Sequence, residues 1–247
     1  MEHVDVTGGP QASVPWADID TVLLDMDGTL LDLSFDNFFW NDLVPRRFAE
    51  SRGIAERAAR EELKARYDRV AGSLPWYCLS HWSRELGLDI LALKRNHQHR
   101  IGYLPMVPEF LASLRRIGKR RVLVTNAHPD TLALKTEATG LDRLVDELVC
   151  AHDFAASKES PHFWNALARH TAFDPRRTLL IEDSMAVLRA ARDHGIAHVI
   201  AIRRPDSGAP QREVGDTPAV DGVAELLAQL DLPSSVGAAS SRDSSKA

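Results

Sequence analysis

Five short runs of β-branched and aliphatic residues, at 21–24, 121–124, 148–150, 178–181 and 198–202, are separated by segments whose apolar residues recur at helical spacing. Such alternation predicts a parallel sheet, because parallel neighbours need a crossover and the crossover helix covers a sheet face. The expected class is therefore α/β, a parallel sheet flanked by helices. Helix punctuation agrees with this expectation. Pro108 and Gly118 bracket an amphipathic run carrying Phe110, Leu111 and Leu114, and Pro129 and Gly140 bracket a second. Ser160 and Pro161 form an N-cap and first-turn pair for a third, and a fourth runs from Ser184 to Gly195.

One interval breaks the rhythm. About 95 residues separate the first run from the second, where a crossover needs roughly a dozen. Within it, Leu43, Val44, Phe48 and then Leu63, Tyr67, Val70 stand at helical spacing, with Gly53, Pro75 and Gly87 as punctuation. These predict an inserted helical module at 36–101, set into a Rossmann-like core at 16–35 and 102–232. Residues 1–15 lack periodicity and 233–247 are dominated by Ser, Ala and Gly, so both ends are expected to be disordered tails.

The net charge of −5 argues against a surface that coats nucleic acid. The basic cluster of Arg115, Arg116, Lys119, Arg120 and Arg121 reads as a helix C-terminus, where cations favour the dipole. Two cysteines, Cys78 and Cys150, make neither a disulfide framework nor a CxxC pair. His97 and His99 lack a third ligand nearby in sequence and read as surface residues. No apolar run reaches the roughly 20 residues that span a bilayer, and the first fifteen residues carry no signal pattern. A cytoplasmic protein without membrane or nucleic-acid partners is expected.

The chemistry concentrates at the ends of the predicted strands. Asp25 and Asp27 project to the same side while the chain stays extended, and Gly28 then lets the backbone turn. Sites in open parallel sheets lie beyond the carboxyl ends of strands, and here three runs end in Asp25, in Thr125 and in the pair Glu182-Asp183. Four carboxylates brought together repel unless a divalent cation sits among them, and magnesium suits an all-oxygen set completed by water and phosphate. Asp25, Asp27, Glu182 and Asp183 are thus the candidate metal residues. Asp25 could attack phosphorus and Asp27 could exchange a proton. The Thr125 hydroxyl and the Lys158 ammonium would cradle the phosphate.

Taken in order, Asp25-x-Asp27-Gly28-Thr29, Thr125-Asn126, Lys158 and Glu182-Asp183 resemble the four motifs of the haloacid dehalogenase-like hydrolases, over most of residues 20–205. The resemblance implies that Asp25 is the nucleophile and Asp27 the acid/base, with the Asp27 carbonyl a further metal ligand. It implies that Gly28, Thr125, Asn126 and Lys158 hold phosphate and that Glu182 and Asp183 hold Mg2+. The helical insert occupies the position of the family's cap. Dehalogenases of the family lack the acid/base Asp, so Asp27 points to a phosphate substrate.

More closely, residues 21–33, Phe35-Asp36-Asn37, Trp40, Trp76-Tyr77-Cys78-Leu79, Trp82, residues 125–129 and Pro205-Asp206-Ser207-Gly208 look like those of bacterial GMP/IMP 5'-nucleotidases. That similarity implies hydrolysis of purine nucleoside 5'-monophosphates through an aspartyl phosphate. Glu182 departs from it, standing where those relatives carry Asp, and resembles the acidic pair of β-phosphoglucomutase. A sugar-phosphate phosphatase or phosphomutase is the alternative, and a non-catalytic phosphate- or nucleotide-binding module a third reading. Phe39, Trp40, Trp76, Tyr77 and Trp82 offer faces on which a base could stack, although most are expected to be cap core.

Overall fold

A computed structural model describes residues 12–230. The strands are β1 (Thr21–Leu24), β2 (Arg120–Thr125), β3 (Glu147–Cys150), β4 (Thr178–Glu182), β5 (His198–Ile202) and β6 (Ala219–Val220). They form one parallel sheet in the order β3-β2-β1-β4-β5-β6. The five predicted strands are present. β6 has only two residues, too few for a periodic signal, and pairs with the end of β5. Helices cover both faces, so successive residues alternate between two buried layers. Val22, Leu24 and Leu123 pack with Phe110 on one side, and Leu23, Val122 and Val124 pack with Phe163 and Trp164 on the other.

Between β1 and β2 the chain forms α1 (Ser34–Phe38), passes through a π-helical turn (Phe39–Leu43) into α2 (Val44–Arg52), and continues through α3 (Glu56–Val70), α4 (Leu74–Tyr77), α5 (Leu79–Leu86) and α6 (Ile90–Asn96). Gly53 and Gly87 end α2 and α5 in the left-handed conformation. Phe39, Phe48, Leu63, Trp82 and Ile90 close a separate apolar core among these helices. The remaining helices are α7 (Val107–Arg116), α8 (Pro129–Thr139), α9 (Pro161–His170), α10 (Met185–His194) and α11 (Val223–Leu230). Ser160 and Ser184 cap α9 and α10 by accepting from the amides of His162 and Val187.

The two linkers to the inserted helices pair with each other. The Asp32 amide donates to the Gly102 carbonyl (2.9 Å), the Leu104 amide donates to the Leu30 carbonyl (3.0 Å), and Leu31 bridges antiparallel to Tyr103. The loop after β5 braces the outgoing linker. There the Leu33 amide donates to the Pro205 carbonyl (2.9 Å), and the Asn37 amide group donates to the Asp206 carboxylate (2.6 Å).

Two expectations change. Residues 12–15, assigned to a tail, are in part packed: Ala12 and Val14 are buried, and the Ala12 amide donates to the Ala219 carbonyl. The rest of the expected N-terminal tail and the expected tail at 233–247 lie outside the described residues. The basic cluster is only half a helix terminus. Arg115 and Arg116 close α7, but Arg120 and Arg121 belong to β2, where Arg120 pairs with Glu147 and buried Arg121 with Asp146. Both carboxylates sit at the start of the neighbouring strand β3 or just before it. Among the described residues no helix is long and apolar enough to cross a membrane.

Candidate active site

Register sets the site. Leu24 lies opposite Leu123 of β2 and Ile181 of β4, so Asp25 falls level with Val124 and Glu182, and Thr125 stands one residue further along β2. The Asp25 amide stays hydrogen-bonded to the Ile181 carbonyl (3.1 Å), which holds Asp25 in line with β4. Gly28 then turns the chain at φ +85°, and a Cβ there would stand 2.8 Å from Asp183 Oδ2 and 2.9 Å from Pro205 Cβ. Only glycine suits both the conformation and the space.

Asp25, Glu182 and Asp183 converge with one carboxylate oxygen each, all within 4.8 Å of one another. Lys158, fully buried in the loop before α9, contacts Asp25 directly and donates to Glu182 Oε2 (2.7 Å) and to the Val124 carbonyl (3.0 Å). Arg212, from the loop after β5, reaches Asp183 Oδ2 at 2.9 Å. Burial and the Glu182 charge push Asp25 up to about 7, against the pull of Lys158. Burial pushes Glu182 up to about 7 although Lys158 opposes it, and burial with the Asp25 charge raises Asp183 to about 6. Burial also acts against the Lys158 cation, yet Asp25 and Glu182 hold it well above the ordinary lysine range. These directions agree once charges are counted. The buried Lys158 ammonium and the more exposed Arg212 guanidinium still leave the three desolvated carboxylates one positive charge short. An all-oxygen, electron-rich cluster short of positive charge fits a hard divalent cation such as magnesium.

Thr125 Oγ accepts from the Ala127 amide (3.0 Å), which leaves its proton to donate into the site. Asn126 acts as a strut: its side-chain carbonyl accepts from the Lys158 amide (2.8 Å), and its amide group donates to Glu159 Oε2 (3.0 Å). Tyr77 joins from the inserted helices, donating to Glu159 Oε1 (2.5 Å). All the candidate residues except Gly28 therefore line one polar cavity of about 240 Å3, although the Asp27 carboxylate is paired with Lys135.

The Asp27 carboxylate contacts Lys135 of α8. Lys135, buried to 1% exposure, also contacts Asp36 of α1, and Asp36 in turn accepts from Lys94 of α6 (2.7 Å). Four alternating charges thus run from Asp27 into the inserted helices. Burial raises Asp27 above the carboxylate range despite Lys135. At Asp36 the two lysines overcome burial and hold the carboxyl well below that range. Sequence reading missed Asp36, Lys94, Lys135 and Arg212 as site residues. A lysine on a helix reads as solvated, and nothing local in α8 signals that Lys135 points inward.

A second cavity, of about 310 Å3, opens beside the first. The two share Asp27, Leu33, Tyr77 and Ala127, and the second is walled by Trp40, Tyr67, Trp76 and Trp82, with Asn41 and Lys94 as polar members. Tyr67 meets Trp40, Trp76 and Trp82 edge to face, with centroids 6.0, 5.5 and 5.0 Å away. Its hydroxyl is buried without a hydrogen-bond partner. Of the aromatics singled out from sequence, Phe39 and Trp82 are buried in the insert's core, while Trp40, Trp76, Tyr77 and Trp82 also face this cavity.

A model of the haloacid dehalogenase-like hydrolases matches residues 19–195, a span that takes in Asp25, Thr125, Lys158 and Glu182. The chain belongs to the haloacid dehalogenase-like hydrolase family. Within it, the chain is 42% identical to the Escherichia coli protein named GMP/IMP nucleotidase YrfG over 218 residues, covering 88% of this chain and 98% of that one. It is 27% identical to Protein CbbY of Cereibacter sphaeroides, over 88% of this chain and 99% of the relative. A solved haloacid dehalogenase-like phosphatase from Thermococcus onnurineus superposes with a TM-score of 0.71 at 22% identity, over 86% and 98% of the two chains, and shares the fold. As in other family hydrolases, the inserted helices form a cap on a Rossmann-like core.

Proposed function

We propose that this hydrolase is a magnesium-dependent 5'-nucleotidase that releases phosphate from purine nucleoside monophosphates, GMP and IMP foremost. The observation that carries the reading is the junction of two unlike cavities at Asp27, Leu33, Tyr77 and Ala127: a polar one fit for phosphate and an aromatic one of about 310 Å3 fit for a base. The likeness to the E. coli GMP/IMP nucleotidase supports the same substrate class. A nucleotide lying across the junction places its phosphate at Asp25 and its purine among Trp40, Tyr67, Trp76 and Trp82. Asn37, Asn41, Asp36 and Lys94 add donors and acceptors for the polar edge of the base.

In this reading the Asp25 carboxylate attacks phosphorus and forms an aspartyl phosphate while Asp27 protonates the departing 5'-oxygen. Asp27, now deprotonated, takes a proton from the water that hydrolyses the acyl phosphate. The Thr125 hydroxyl and the Lys158 ammonium stabilise the charge spread over the phosphoryl oxygens, whereas the Gly28 amide, expected to hold phosphate, is committed to the Leu31 carbonyl (2.7 Å). Asn126 keeps the Lys158 segment in place. Magnesium, held by Asp25, the Asp27 carbonyl, Glu182 and Asp183, would supply charge neutralisation when bound. Phosphate release from a panel of nucleotides and sugar phosphates, with and without magnesium, tests the proposal. GMP and IMP should exceed AMP and glucose 6-phosphate by about tenfold or more in kcat/KM; activity confined to sugar phosphates would reject it.

Tyr67 offers a sharper probe of the base. Its buried hydroxyl lacks a partner and stands in the wall of the aromatic cavity. Tyr67→Phe should raise KM for GMP by about fivefold to tenfold, the worth of one hydrogen bond, and leave ribose 5-phosphate hydrolysis unchanged. Equal losses on both substrates would mean that the hydroxyl serves the cap and not the base.

Metal and pH are linked through the carboxylate cluster. Asp25, Glu182 and Asp183 are raised on folding, so their protonated forms favour the folded state fully below pH 4, and that contribution is lost as pH rises toward about 7. Metal-free protein should therefore melt lower at pH 8 than at pH 5. Because binding needs the ionised carboxylates, the rise in Tm on adding magnesium should be larger at pH 8. Thermal melts at the two pH values check this, and equal magnesium shifts would refute it.

A further inference from the structure

A second convergence of ligating side chains lies outside the carboxylate cluster, at the seam between cap and core. Cys78 is at the start of α5, His128 precedes α8, and His152 follows β3, so one ligand comes from the cap and two from loops beyond the strand ends. One sulfur and one ring nitrogen from each histidine lie within 4.8 Å of one another. The His128 and His152 rings are 5.1 Å apart at their centroids. Nothing in the haloacid dehalogenase chemistry described above uses any of the three.

The hydrogen bonds around the rings orient them for a ligand. His152 Nε2 is buried without a hydrogen-bond partner, an arrangement that costs free energy unless something occupies the lone pair. His128 Nδ1 accepts from the Asp130 amide (3.2 Å), so a metal at its Nε2 would require the other tautomer, with the Nδ1 proton turned to the Asp130 carboxylate 3.5 Å away. The Cys78 sulfur is partly exposed, and its hydrogen-bonding neighbour among the described residues is Ser80 Oγ (3.2 Å).

We propose that Cys78, His128 and His152 form a transition-metal site, with zinc(II) the fitting ion, that fastens the cap to the core independently of the catalytic magnesium. One thiolate and two imidazoles select a borderline ion over magnesium, which takes oxygen ligands. Zinc bonds of about 2.0–2.3 Å require the three ligand atoms to draw in by about 1 Å, within the reach of side-chain rotation. Three protein ligands leave a fourth tetrahedral position to water. Cys78 follows Tyr77 and His128 follows Ala127, and both of these neighbours line the junction of the two cavities. An ion held here would bind the closed cap more tightly than an open one and slow each cycle of opening.

Cobalt(II) titrated into the full-length protein under saturating magnesium tests the site. One equivalent should give a thiolate-to-cobalt charge-transfer band that Cys78→Ser abolishes and Cys150→Ser leaves intact. His152→Ala should weaken zinc(II) binding, measured by competition with a chromophoric chelator, by at least about tenfold. Zinc should also lower wild-type kcat reversibly, with a chelator restoring it, and this component should vanish in Cys78→Ser. Zinc inhibition that persists in Cys78→Ser reports displacement of magnesium and overturns the latch. Absence of the thiolate band in the wild type, or its survival in His152→Ala at unchanged affinity, overturns the site.

Discussion

Asp25→Asn is expected to cut phosphate release from GMP by about 10^4-fold or more, the scale of losing a covalent nucleophile, while raising the Tm of the metal-free protein. The two halves of this result have one cause. Asp25 is the carboxylate that burial and Glu182 push up to about 7, so its charge is a cost the folded protein bears for the reaction. The amide keeps nearly the same shape, leaves Lys158 paired with Glu182, and removes one of three crowded charges. A variant that melts lower than wild type would show the loss of activity to be unfolding. One that keeps a tenth of the turnover would remove Asp25 from the nucleophile's role.

Lys135→Met should have the largest effect on stability. Lys135 is buried between Asp27 and Asp36, and taking one member from a buried charge network strands the rest, at about 3–5 kcal/mol. A fall in Tm on the order of 10 °C follows for a chain of this length. Lys94 still holds Asp36, so the uncompensated charge falls on Asp27. Without the ammonium the Asp27 carboxyl is raised further and keeps its proton to higher pH, which carries the alkaline limb of the kcat/KM profile upward with it. Lys135 is a positioning residue, acting through Asp27. If the melting temperature falls and the limb does not move, its role is confined to holding α8 against α1.

What could be read from the chain follows the range of the interactions. The strand ends carrying Asp25, Thr125 and Glu182 were legible because apolar runs, turn glycines and helix caps are local signals, and Ser160, Ser184, Gly140 and Gly195 mark helix ends as expected. The cap was legible as an overlong interval. Lys135, Lys94 and Asp36 were not, because a buried lysine differs from a surface one only in what the fold brings against it. The same holds for Cys78, His128 and His152, whose sequence spacings of 50 and 24 residues match no local ligand pattern. Arg212 lies in a loop, and its approach to Asp183 depends on how the segment after β5 folds back. Trp40 and Trp76 announced aromatic surface, but whether that surface faced a core or a cavity depended on the packing of four helices, and Tyr67 stood out from sequence only as a residue at helical spacing.

The pairing of the two linkers has a consequence for how new specificities can arise. The chain leaves the core at Asp32 and returns at Gly102 through adjacent, hydrogen-bonded positions, so everything between them enters and exits by one doorway. A different helical cassette grafted between those points would leave the strand register, and with it the spacing of Asp25, Thr125 and Glu182, untouched. The hydrolytic engine and the part that chooses its cargo can be exchanged separately. Asp36 and Lys94 constrain such a swap: a transplanted cap must bring its own carboxylate to meet Lys135, or that buried ammonium is left to Asp27 alone.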